Sequence, residues 1–341
     1  MIMFFHYFGA NPIDRLSSLV VLQKFSILGQ TGVSLFFVLS GFLISRILIS
    51  SKNSSGYFSG FLRNRALRIF PLYFGFLTLY FILIPIFTHG GIRPLSDQIY
   101  YWLYLQNFAI TFDWFQGGPR HFWSLAVEEH FYLFWPFVIY FCSIQRLLKV
   151  IFAIILISLA LRIYMVGQGY EVFYFTLTRF DALAFGALLA VIEYKGLIRL
   201  EYIRYLSIAF FSVSVPILFL WMFFSGQSFQ TIQVIKFTLI GFIYFLALYF
   251  VCCMSRMEYS LTSRILSHPM LLYTGKISYG LYVYHALAFD AFHRLFGSLY
   301  PVIDLVGSFS SAFIISAISY HFFEKVFLKL KVNRRRQAWG V

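Results

Sequence analysis

Apolar runs of about twenty residues, each long enough to cross a bilayer as a helix, recur along the whole chain between short polar or basic stretches. They predict transmembrane helices at roughly 26–48, 69–87, 124–143, 149–166, 173–193, 205–224, 232–253, 270–292 and 303–327. The N-terminal piece Met1–Phe8 is apolar but too short to cross alone, so it reads as the end of a first span. It lacks the basic head and small-residue cleavage site of a signal peptide. The expected fold is an all-α, polytopic transmembrane helix bundle of about ten spans, the first truncated, forming a single unit over residues 1–341.

Composition agrees. Sixty per cent of the residues are hydrophobic and only 12% charged, against about 25% charged in soluble domains. Mean hydropathy is +0.78. The net charge of +14 has a topological reading. Arg46–Arg68, Arg146–Lys149, Lys195–Arg204, Arg256–Lys276 and Lys325–Arg336 hold 19 of the 27 Lys and Arg. The positive-inside rule makes that side cytoplasmic. The charge then reports topology and contact with anionic membrane lipid, and no nucleic acid partner is expected. The basic tail Lys325–Arg336 is most simply a stop and lipid anchor. Cys142, Cys252 and Cys253 all lie in apolar runs, with no disulfide framework or metal-ligand spacing.

Polar groups that interrupt apolar runs mark the candidate chemistry. Phe122–Pro136 sets Glu128, Glu129 and His130 at the head of an apolar run. An ionised side chain at membrane depth costs roughly 2.5–3.5 kcal/mol on insertion scales. These carboxylates are therefore either interfacial and solvated, or turned into an internal cavity. Arg63, Arg65 and Arg68 precede Pro71, which suits the first turn of a helix. Arg65 and Arg68 stand three apart and share a helical face. Arginine forks match phosphate oxygens, and a helix N-terminus would assist; a plain positive-inside anchor is the alternative. His6 is either a general base, since its pKa range suits proton transfer, or a structural histidine. Ser278, Tyr282 and His285 fall on one stripe, for helix–helix hydrogen bonding or for a substrate channel. Arg179 and Asp181 open another span as an in-membrane charge pair, most simply a salt bridge. Gly32, Ser40 and Gly41 permit close helix packing. No Gly-x-Ser-x-Gly elbow, phosphate-cradling glycine loop or His-Glu-x-x-His pattern occurs.

These pieces, in this order, resemble acyltransferase family 3, the multispan membrane acyltransferases that O-acetylate envelope and exported polysaccharides. The resemblance rests on His6 at the end of the first span, a loose Gly-x-x-x-Phe-Phe-x-x-Ser-Gly-Phe-Leu over Gly32–Leu43, and Arg-x-x-Arg at Arg65 and Arg68. It continues with Trp-Ser-Leu-x-x-Glu-Glu-x-Phe-Tyr-Leu-x-Trp-Pro over Trp123–Pro136, Arg-x-Asp-x-Leu-x-x-Gly over Arg179–Gly186, and Ile-Ser-Tyr-x-Leu-Tyr-x-x-His over Ile277–His285. Two departures stand out. The family usually has an arginine eleven residues before its first-span histidine, a position that falls before Met1, and His130 stands where glutamine is commoner.

The resemblance implies transfer of an acyl group, by default acetyl from acetyl-CoA, to a sugar hydroxyl of a polysaccharide or glycolipid. No permanently bound cofactor and no metal is implied. Arg65 and Arg68, with Arg63, would bind CoA phosphates. His6 would take the acceptor's proton, with Asp181 or Glu129 orienting it as in a triad. Trp123, Glu128, Ser278, Tyr282 and His285 would line the substrate site. The expected location is a bacterial inner (plasma) membrane. Residues Thr88–Arg120 are expected to shape acceptor choice, with Trp102 and Trp114 either stacking on sugar or forming an interfacial belt. A transporter or flippase of a glycan or lipid-linked substrate is the alternative, weakened by the lack of an internal repeat.

Overall fold

The computed structural model describes residues 1–10, 20–88, 90–114, 117–223, 230–255, 261–296 and 301–331. Ten helices carry the architecture: α1 (Ile2–Ala10), α2 (Gly32–Ser51), α3 (Tyr57–Thr78), α4 (Trp123–Phe141), α5 (Ile144–Gly167), α6 (Phe180–Tyr194), α7 (Ile203–Phe223), α8 (Gln230–Met254), α9 (Pro269–Phe296) and α10 (Pro301–Ser319). There is no strand among the described residues. Among the described residues, five continuous helical stretches are long and apolar enough to cross a membrane: Val21–Ser51, Tyr57–Phe87, Ile144–Gly167, Ile232–Met254 and Pro301–Leu328. With 15 residues, α6 is shorter than a span. The apolar run of α4 is broken by Glu128, Glu129 and His130.

The bundle is organised around α2 and α6, which pack on each other and on α4, α5 and α8. The contact is unusually close. A Cβ added to Gly41 would stand 2.0 Å from the Leu183 carbonyl oxygen, and one added to Gly186 would stand 2.0 Å from that of Val38. Only glycine lets the two backbones approach so far. The second group joins α9 to α10, α1 and α3. Polar ties cross the core: Trp135 Nε1 donates to Ser45 Oγ at 2.7 Å, and Tyr57 Oη to the Pro136 carbonyl at 3.1 Å. Such bonds contribute about 0.6 kcal/mol each between membrane helices. Outward-facing apolar side chains such as Leu133 and Leu156 remain exposed, as a lipid-facing surface requires.

Two expectations change here. Helix α3 begins at Tyr57, not near Pro71, because a span helix runs past its apolar stretch; Pro71 is an interior proline, tolerated when neighbouring groups satisfy the backbone. Arg65 and Arg68 thus sit two turns or more inside the helix, and its N-terminal N–H groups are not available to them. Arg179 and Asp181 do not pair with each other, because residues two apart on a helix do not share a face. Arg334–Arg336 of the basic tail lie outside the described residues.

Candidate active site

Three imidazoles meet where α1, α9 and the short 3-10 turn Arg120–Phe122 converge. His6 Nδ1 lies 2.6 Å from His285 Nε2, with the rings nearly parallel. His285 is wholly buried, and its Nδ1 donates to the Tyr282 carbonyl at 2.7 Å. His121 stands edge-on to both rings, at 4.8 Å from His285 and 5.9 Å from His6 between centroids. Two nitrogens 2.6 Å apart share a proton and cannot also ligate one metal; no set of His, Cys, Asp or Glu among the described residues is arranged as a metal site. His6 and His121 line a cavity of about 850 Å³ together with Trp123, Tyr174, Tyr282 and Arg120.

From this cavity a file of polar groups runs down α4. Ser124 Oγ lies 2.5 Å from Tyr282 Oη, which donates on to the His121 carbonyl. Ser124, Glu128 and Tyr132 are four residues apart, so they stack on one face of the helix. Glu128 is 3% exposed, and its carboxyl interacts with Ser40, Tyr132, Arg65 and Arg68. One of its oxygens, Oε1, has no hydrogen-bond partner, and the same is true of Glu129. From Ser124 to Tyr132 the file descends about 12 Å at 1.5 Å per residue.

At the far end, the Arg65 guanidinium lies 5.0 Å from the centre of the Tyr132 ring. Arg63, Arg65, Tyr104, Glu129 and Tyr132 line a second cavity of about 510 Å³. Arg63, Arg65 and Arg68 form no ion pair within 4 Å among the described residues, although the charges of Arg65 and Arg68 act on the buried Glu128 carboxyl at longer range. Lys331 joins this cluster. Burial first, then the Arg68 and Arg65 charges, hold its ammonium down at about 8. Its place beside Arg65 and Arg68 gives at least this part of the basic tail a position in the site.

The remaining sequence candidates divide. Trp123, Tyr282 and Glu128 belong to the cavity or the file. Ser278 does not: it is exposed and donates to the Gly275 carbonyl of its own helix. His285 touches His6 and is not among the cavity-lining residues. Asp181 is fully buried and engaged by Arg162 Nη2 at 2.8 Å and Thr238 Oγ1 at 2.8 Å. Arg179 donates to Ser34 Oγ at 2.8 Å and lies 4.2 Å from the centre of the Phe237 ring. Glu129 faces the second cavity. The partner of His6 Nδ1 is thus a histidine and not Asp181 or Glu129. His130 bonds Thr176 Oγ1 at 2.9 Å. Trp102 stacks on Phe74 and donates to Gln98, and neither it nor exposed Trp114 lines the histidine cavity.

Sequence reasoning missed His121, Ser124, Arg162 and Lys331. Arg162 carried a signal, being a lone charge deep in the apolar run of α5. Ser124 lay inside a motif already singled out. His121 had only its nearness to that motif to recommend it.

Comparison with known proteins bears on this geometry. A sequence profile named for acyltransferase family 3 and described as an acyltransferase domain matches residues 1–321. The chain is 30% identical over 301 residues to O-acetyltransferase OatA of Staphylococcus aureus (strain NCTC 8325 / PS 47), covering 82% of this chain and 47% of that protein. It is 27% identical over 324 residues to the putative O-acetyltransferase SACOL0978 of S. aureus (strain COL), covering 88% of this chain and 53% of that one. The chain therefore spans about half the length of these curated relatives. No solved structure matches it. With nearly its whole length matched by the profile, this multi-pass membrane chain belongs to acyltransferase family 3.

Proposed function

We propose that the chain is a membrane O-acyltransferase that moves an acetyl group from acetyl-CoA to a sugar hydroxyl of a cell-surface or exported polysaccharide or glycolipid. The carrying observation is the polar file of α4, which runs from the cavity lined by Arg63 and Arg65 past Glu128 to the histidine-lined cavity. In this reading α4, α7, α9 and the segment 173–193, which contains most of α6, also cross the bilayer, giving about ten spans with α1. The arginine end is cytoplasmic, as its basic loops favour, and the membrane is a bacterial inner membrane.

Arg65 and Arg68, with Arg63 and Lys331 beside them, hold the CoA phosphates by charge-assisted bonds. The extended pantetheine arm follows the file past Glu128 and brings the thioester to His6. The acceptor enters the histidine cavity, which Trp123 and Tyr174 help to line. His6 takes the proton of the acceptor hydroxyl as its oxygen attacks the thioester carbonyl. The tetrahedral intermediate collapses by breaking the C–S bond, and the departing thiolate takes from His6 the proton that came from the acceptor hydroxyl. The products are the acetyl ester and free CoA, with atoms and charge balanced.

The test uses membrane vesicles carrying the full chain, radiolabelled acetyl-CoA supplied at the cytoplasmic face, and the host's envelope polysaccharide as acceptor. Alkali-labile label is expected in the polysaccharide and should fall about 10²–10⁴-fold in His6→Ala, the usual contribution of a general base. Undiminished labelling in a folded His6→Ala protein would remove His6 from the chemistry.

A further inference from the structure

The contact between His6 and His285 fixes where the protons sit. His285 Nδ1 faces two backbone carbonyls, Tyr282 O at 2.7 Å and Leu281 O at 3.1 Å. Carbonyl oxygens only accept, so Nδ1 carries the hydrogen. In a neutral imidazole the other nitrogen is then a bare acceptor. His285 Nε2 is that acceptor, and His6 Nδ1 approaches it to 2.6 Å. A contact this short between two nitrogens needs one hydrogen, which His6 must supply from Nδ1. His6 is left with its free lone pair on Nε2, and His6, unlike His285, lines the cavity.

We propose that His285 is a positioning residue for the transfer reaction: by accepting the His6 Nδ1–H bond it holds His6 in the tautomer whose lone pair is on Nε2. This rests on the reading of His6 as the base. Free histidine favours the opposite tautomer, with hydrogen on Nε2, so the site selects the less common form. Which ring nitrogen works is set by the bond the other makes. A buried carboxylate usually fills this place in a hydrolytic triad; here a second imidazole anchored on a helix backbone does. When His6 takes the acceptor's proton, its Nδ1–H bond to His285 becomes charge-assisted and strengthens. The partner therefore favours the step as well as the orientation. Its backbone anchor explains the fixed geometry, since the α9 carbonyls cannot rotate away.

The experiment reads the tautomer directly and does not depend on turnover. The full chain, labelled with nitrogen-15 histidine, is placed in lipid nanodiscs, and the His6 signals are identified by their loss in His6→Asn. In the unsubstituted protein His6 should show hydrogen on Nδ1. His285→Gln, whose side-chain oxygen also accepts, should keep that form, whereas His285→Leu should shift His6 to the Nε2–H form. In the vesicle assay His285→Leu should lower turnover about 10–100-fold, by analogy with removing the partner that orients a metal-bound histidine. The KM for acetyl-CoA should stay the same, and His285→Gln should restore most of the rate. A bare Nδ1 on His6 in the unsubstituted protein overturns the proposal even if neither variant folds. So does a folded His285→Leu protein with unchanged tautomer or undiminished rate. Activity in His6→Ala is the separate result that would remove the base assignment itself.

Discussion

Arg162 and Asp181 form a salt bridge of 2.8 Å between α5 and α6 in which both side chains are almost completely buried. Thr238 of α8 bonds both partners, and a second Arg162 nitrogen donates to the Thr178 carbonyl. Three helices thus depend on one charge pair. Removing one member of a buried pair leaves the other charge uncompensated, at a cost of about 3–5 kcal/mol. Asp181→Asn is expected to lose about that much stability, seen as a lowered midpoint of thermal unfolding in detergent. A variant that unfolds normally but transfers no acetyl group would instead put Asp181 in the chemistry.

The close crossing of α2 and α6 makes a second expectation. Gly186→Ala drives a methyl to 2.0 Å from a backbone oxygen, which no side-chain rotation can relieve. Overpacking of this kind costs about 1–3 kcal/mol. Gly275→Ala is the control, because nothing lies within 4 Å of its added Cβ, and the melting temperature should hold or rise. Equal melting of the two variants would mean that the helices can separate at little cost.

Phosphate binding can be told apart from topology by keeping the charge. Lysine replaces arginine's planar fork with a point charge, so the Arg65→Lys, Arg68→Lys double variant should insert normally. Its affinity for acetyl-CoA, measured by calorimetry, should fall by roughly 1.5–3 kcal/mol per lost charge-assisted bond. A double lysine variant that binds like the parent, beside a double alanine variant that misinserts, would reduce both arginines to an anchor.

Lys331 supplies a pH signature. Its ammonium is held at about 8, so it is charged below that pH and neutral above it. A bound phosphate would favour the charged form and raise that value. The KM for acetyl-CoA is therefore expected to rise as pH increases through about 8, while Lys331→Gln should lack that inflection. The check is KM from pH 6.5 to 9.5; the same inflection in both proteins would assign it to another group.

Much of the molecule is written in local pattern. Apolar run length alone predicts the helices and the membrane, because a backbone in lipid must satisfy its hydrogen bonds within the segment. Glu128 and His6 stand out for a related reason, since polar groups in apolar runs are costly and so conspicuous, whereas Arg65 and Arg68 stand out by their spacing of three before a span. Pairing was not legible. Arg162 and Asp181, Ser40 and Tyr132, and His6 and His285 are 19, 92 and 279 residues apart. Each pair is chosen by how helices pack, which periodicity does not encode. The same limit explains why Asp181, two residues from Arg179, reads as its partner in sequence yet turns to another helix. It also explains why His285, on a stripe that could have served substrate, stands behind His6 instead. Apolar run length determined which segments are long and apolar enough to cross a bilayer, and helical spacing which residues share a face. Tertiary structure decided what those faces meet, because side-chain partners in a helix bundle come from neighbouring helices and hydrogen bonds reach only about 3 Å.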